Sequence, residues 1–175
     1  MDNIPIEARA YLSTNDSIAR AQLAQRYPDL TTTLTDPTVR AAVLAWLAGD
    51  DAWDEANTNF TLNALRYLRS AADPSEAQVI RPFLLHPQPN VRLAAYEFLL
   101  TLYYPDKNRE ALLQLLQNML SDSEDMIRSA GARYADQAGI AAELHSFLLR
   151  WQKTAHDKGW VDSESHELVG RLLKA

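Results

Sequence analysis

Residues 89–104 read Pro89-Asn90-Val91-Arg92-Leu93-Ala94-Ala95-Tyr96-Glu97-Phe98-Leu99-Leu100-Thr101-Leu102-Tyr103-Tyr104, and this stretch decides the fold. Val91, Ala94, Ala95, Phe98 and Leu102 recur at helical spacing and make one apolar stripe. Leu93, Tyr96, Leu100 and Tyr103 make a second, and only Arg92 and Glu97 carry charge between Pro89 and Pro105. A helix that is apolar on so much of its circumference has to be covered on several sides. The segment is therefore expected to be a central helix packed among other helices.

The same period extends outward in both directions. Asp16 or Asn15 is placed to cap a helix running to about Tyr27, where Pro28 interrupts, and a shorter helix is expected over residues 5–12. Asp36-Pro37 reads as an N-cap followed by proline at the first helical position, with Val39, Ala42, Val43, Trp46 and Leu47 on one side and Gly49 as the stop. After a polar interval at residues 50–58, Phe60, Ala64, Leu65, Leu68 and Ala71 restore the stripe. Asp73-Pro74 opens a further segment, which Pro82 should kink or end early. Asp106, Asp122 or Ser123, and Asp162 or Ser163 are placed to cap three later helices, and Ala130-Gly131 should let a neighbouring helix approach closely. Ala and Leu dominate, no run alternates strictly, and no strand is expected. The connections are mostly short, so successive helices should pack as antiparallel neighbours.

Composition narrows the chemistry. The chain has 175 residues, 47% of them hydrophobic, and no cysteine, which removes disulfides, thiolate metal sites and a cysteine nucleophile. The net charge is −6, and residues 1–58 hold nine acids against four arginines, while the whole chain holds four lysines. Nucleic-acid binding relies on clustered Lys and Arg. An acidic surface suits a basic protein partner better. The N-terminal residues do not form a basic segment followed by an apolar core, and the longest apolar stretch, 41–48, is too short for a bilayer. A cytoplasmic protein without membrane contact is the expectation.

A phrase recurs three times: Leu34-Thr-Asp36-Pro37-Thr-Val39-Arg40-Ala41-Ala42, then Leu85-His86-Pro87-Gln-Pro-Asn-Val91-Arg92-Leu-Ala94-Ala95, then Leu120-Ser-Asp122-Ser-Glu-Asp-Met-Ile127-Arg128-Ser-Ala130. Each ends a helix on Leu, turns through polar residues, and restarts with a β-branched residue, Arg and then small residues. Arg92 and Arg128 lie 36 residues apart, and Arg40 and Arg92 lie 52 apart. The longer interval equals one repeat plus an insert of about 16 residues, the size of one helix. This pattern resembles the second helix of HEAT repeats. The resemblance is best over residues 15–136. It implies an all-α fold, a short right-handed α-α superhelix of helical hairpins in a single domain over 1–175. In that reading residues 1–14 form an N-terminal cap and residues 138–175 form C-terminal capping helices. The three arginines are then expected to be structural, reaching acids or carbonyls on an adjacent unit.

The candidate site is the acidic loop Asp50, Asp51, Trp53, Asp54 and Glu55, with Trp46 one helical turn before Asp50. Trp is a frequent interface anchor, and flanking carboxylates would steer a basic partner toward it. The alternative reading of this loop is a solvated connection whose acids cap helices. Its spacing lacks the central Gly and distal Glu of a calcium loop. The expectation is a non-enzymatic interaction scaffold, for instance a bacterial immunity protein or antitoxin that binds a basic toxin, with no cofactor and no metal. The four histidines never fall at i, i+3 or i+4. HEAT-like deoxyhypusine hydroxylases hold iron with several His-Glu pairs, of which this chain has one, His166-Glu167. The Trp46/Asp50 pair is similar to the aromatic residue and catalytic Asp of HEAT-like alkylpurine DNA glycosylases, and that activity is the enzymatic alternative.

Overall fold

A computed structural model describes residues 3–104, 108–159 and 164–174. They form eleven α-helices joined by short connections and 3-10 turns, with no strand among the described residues. The chain divides into two compact units, Met1–Thr101 and Leu102–Ala175, each with its own internal packing.

The first unit opens with α1 (Ile6–Leu12), α2 (Ser17–Arg26), α3 (Leu30–Thr35) and α4 (Pro37–Leu47). Local chemistry sets most of these limits. Asp16 accepts from the amides of Ile18 and Ala19, and Asp36 accepts from the amide of Thr38, so each aspartate satisfies a donor that a helix start leaves without a partner. Those bonds to the amide and hydroxyl of Thr38 hold the Asp36 carboxyl below its ordinary value, as Ser75 does for Asp73. Helix α3 carries the Leu34 that the repeated phrase places at a helix end, although Thr31, Thr32 and Thr33 are poor helix formers. It forms with Leu30 buried and with the Thr35 hydroxyl donating back to the carbonyls of Thr31 and Thr32.

Helix α5 (Thr58–Arg69) buries Phe60, Leu62, Ala64, Leu65 and Leu68, while Ala71 lies beyond its end and is exposed. Asp73 and Glu76 form a reciprocal capping box at a 3-10 turn, Pro74–Glu76. The segment then ends early, as Pro82 requires: α6 (Ala77–Ile80) lasts four residues and gives way to a 3-10 turn over Arg81–Leu85. That change of pitch buries Phe83 and leaves Leu84 half-buried. Helix α7 (Pro89–Tyr103) buries both of the sequence stripes at most positions, including Val91, Ala95, Tyr96, Phe98 and Leu100, and Leu99 besides. Full burial of each large apolar side chain contributes about 1.5–3 kcal/mol.

The second unit contains α8 (Arg109–Leu120), α9 (Asp125–Gln137), α10 (His145–Asp157) and α11 (Glu164–Leu172). Helices α8 and α9 form a tight hairpin. A Cβ on Gly131 would lie 2.9 Å from the Cβ of Met119, so the small residue is what permits the approach. Asn108 caps α8 through the amide of Ala111, whereas the expected caps Asp106, Asp162 and Ser163 lie outside the described residues. Leu144, Leu148 and Trp151 face inward, as do Leu168 and Val169.

The repeated phrase has a repeated geometry. In α4, α7 and α9 the arginine sits three residues after the helix start at Pro37, Pro89 and Asp125. Val39, Val91 and Ile127, which precede each arginine, are all buried. Arg92 Nη1 donates to the carbonyls of His86 and Pro87, and Arg128 Nη1 donates to those of Asp122 and Ser123, the same offsets of six and five residues. His86 replaces aspartate in function as well as in position. Its Nδ1 accepts from the amide of Gln88, as Asp122 Oδ1 accepts from that of Glu124. Arg40 behaves as the sequence expects of an arginine reaching a distant element, binding Glu76 and the carbonyl of Leu68. Arg92 and Arg128 also close the turns that precede their own helices. His86 and Asp122 stand six positions before their arginines, against four for Asp36 and Arg40, and the longer turn brings its carbonyls within reach.

Candidate functional site

The acidic loop is a folded element. Asp50–Trp53 and Glu55–Asn57 are consecutive 3-10 turns, the second capped by Asp54 through the amide of Ala56 at 2.9 Å. Asn57 Nδ2 donates to the Asp51 carbonyl, and the buried Thr61 hydroxyl donates to the carbonyl of Ala52, itself fully buried. Ala52 thus anchors the loop to α5 while its charged neighbours face water. Asp50, Asp51, Asp54 and Glu55 are all exposed, and none makes an ion pair with another described residue.

The two tryptophans have different surroundings. Trp46 is 7% exposed and meets Phe60 edge to face at 4.4 Å, which makes it a core residue whose indole face is covered. Together with Asp50 and Asp51 it lines an open groove of about 450 Å³ that Asn3 and Ile4 complete. Trp53 is 39% exposed and lies outside that groove. One face of its ring stacks on Phe83 at 5.1 Å with 10° between planes, and His86 lies 5.2 Å away. Leu85, at the end of the same 3-10 turn, is 85% exposed. The six residues singled out in the sequence therefore separate into a groove group (Trp46, Asp50, Asp51) and an outer edge (Trp53, Asp54, Glu55).

Sequence reasoning missed Phe83 and His86 as neighbours of Trp53. They lie about thirty residues further along, and no periodic or capping signal links them to the loop. His86 is the chemically informative one. It is 1% exposed, its Nδ1 accepts an amide proton, and its Nε2 is buried without a partner. Burial, with the Arg92 charge nearby, holds the imidazole below its ordinary value of 6.5. Protonating Nδ1 would also break the bond from Gln88. The unfolded chain then takes up a proton before the folded one as pH falls below about 6.5, so His86 subtracts stability below that pH and is neutral in effect above it. Urea midpoints measured between pH 7.5 and pH 5 are expected to fall more steeply for the wild type than for His86→Asn. An equal slope in both would show that His86 titrates normally.

Among the described residues no three His, Asp or Glu side chains gather as a metal site would require, and no helix is long and apolar enough to cross a membrane. Fold and site together describe an all-helical chain that presents an anchored aromatic ring within an acidic loop. No protein-family model, curated protein or solved structure matches this chain.

Proposed function

We propose that this chain is a non-enzymatic protein-interaction module of HEAT-like helical hairpins, and that the Trp53 edge receives a basic protein partner. The observation that carries the reading is the half-exposed Trp53, stacked on Phe83 within a loop whose four carboxylates form no ion pair with another described residue. A large aromatic already fixed in one orientation loses little entropy when it is buried in an interface. Unpaired carboxylates around it raise the rate of encounter with a positive surface and reject a negative one. The matching turns closed by Arg92 and Arg128 support the HEAT-like reading. A bacterial immunity protein or antitoxin that neutralises a basic toxin in the cytoplasm is the concrete instance this chemistry fits.

The test compares three immobilised baits: wild type, Trp53→Ala, and Asp50→Lys/Asp51→Lys/Asp54→Lys. A basic protein retained by the wild type and then purified should bind Trp53→Ala about 10–100-fold more weakly, the range of a hot-spot truncation. Its association with the charge-reversed variant should be slower and lose most of its salt dependence. A partner that binds all three equally removes the site.

A second reading, an alkylpurine-type DNA glycosylase, is favoured by the shared groove of Trp46 and Asp50. It is weakened by the burial of Trp46, which at 7% exposure leaves little ring surface for a base to stack on. Wild type against Asp50→Asn on alkylated duplex DNA decides it, and no base release by the wild type ends that reading.

A further inference from the structure

A second groove in the first unit, of about 370 Å³, lies on a different set of helices from the acidic loop. Tyr11 of α1, Arg20 of α2, Thr31 of α3, and Asn63, Arg66 and Tyr67 of α5 line it. No carboxylate is among its lining residues, although the chain as a whole carries a charge of −6. The carboxylates whose charge reaches Tyr67 are Asp36 and Glu76, and both are engaged, Asp36 by Thr38 and Glu76 by Arg40. The groove is thus a locally cationic place on an acidic protein.

Its framework is built rather than incidental. Asn63 is 3% exposed, and its amide nitrogen donates to the carbonyls of Leu12 and Thr14, which fixes the floor. Arg20 Nε donates to the same Thr14 carbonyl at 2.8 Å, and the guanidinium lies 4.9 Å above the Tyr11 ring. The Arg20 head is therefore positioned, and its terminal nitrogens donate to no other described residue. Tyr67 donates its hydroxyl to the carbonyl of Leu34 at 2.7 Å, and burial pushes its pKa up, which keeps the phenol neutral. Arg66 is exposed and has no partner among the described residues.

We propose that this groove binds a small organic phosphate monoester. Two guanidinium groups and the hydroxyls of Tyr11 and Thr31 supply more donors than the two oxygens of a carboxylate accept, whereas the three terminal oxygens of a phosphate match them. The volume lies at the small end of ligand pockets, which admits a phosphate with a body no larger than one ring. Tyr11, already stacked under Arg20, is the wall for that body.

Amide chemical shifts of the full chain, titrated at fixed ionic strength with phenyl phosphate, test this. Saturable changes are expected at residues of α1, α3 and α5, with a dissociation constant of about 1 mM, the range a ligand of that size reaches. Arg66→Gln, which breaks no internal contact, should weaken binding at least tenfold, and Arg20→Gln should do the same. Arg26→Gln removes an equal charge outside the groove and should leave the affinity unchanged. Absence of saturation, or equal weakening in Arg26→Gln, overturns the site. Benzoate binding as tightly as phenyl phosphate overturns the phosphate assignment.

Discussion

Glu76→Ala is expected to destabilise the first unit by about 3 kcal/mol, near the lower end of what breaking a buried ion pair costs. Glu76 is 6% exposed and holds three groups at once. Its two oxygens accept from Arg40 Nε at 2.6 Å and Nη2 at 2.5 Å, and Oε2 also accepts from the amide of Asp73. A bidentate fork of this kind is stronger than a single charged bond and far more directional. Its removal leaves the Arg40 guanidinium, 20% exposed, with only the Leu68 carbonyl. The partial exposure of Arg40 is why the estimate stays at the lower end, since water reaches part of the stranded cation. Urea unfolding of Glu76→Ala against Arg40→Met/Glu76→Met separates the cost of an orphaned charge from the worth of the pair. The double variant should recover most of the loss, because apolar replacement removes both desolvation costs. A single variant as stable as the wild type would mean that the pair is not formed in solution.

Gly131→Val should cost the second unit about 3 kcal/mol, the upper part of the range for forcing volume into a packed site. The contact is with the Met119 Cβ at 2.9 Å and with Leu120 at 3.5 Å, atoms close to the backbone that cannot swing aside. Two γ-methyl groups added there must push α8 and α9 apart. Gly131→Ala should lose less, about 1–2 kcal/mol, because the better helix propensity of alanine offsets part of the clash. Thermal unfolding of the two variants should therefore rank wild type, alanine, valine in falling order. An alanine variant more stable than the wild type would show that the hairpin relaxes at no cost.

The expected pH behaviour of His86 and the binding test of Trp53 involve none of the residues that these two variants change. Stability and binding can therefore be measured separately.

What the sequence by itself determined is the set of features governed by neighbours within about one helical turn. Asp16 and Asp36 were legible as caps because a carboxylate needs only the next two or three amides. The early end at Pro82 was legible because proline lacks an N–H and clashes one turn back. The two stripes of α7 were legible because burial on a helix follows a fixed period. Even the close approach at Gly131 was foreseen, though not its partner Met119. The sequence also picked out the loop that carries Trp53, but it grouped Trp46 with it as a handle. Only the tertiary structure decided that Trp46 closes on Phe60 while Trp53 stands on Phe83 beside His86. The same holds for Arg40 reaching Glu76 across 36 residues and for Arg20 and Arg66 sharing one groove. Such pairings depend on the path of the chain between the partners, and no local propensity encodes that path.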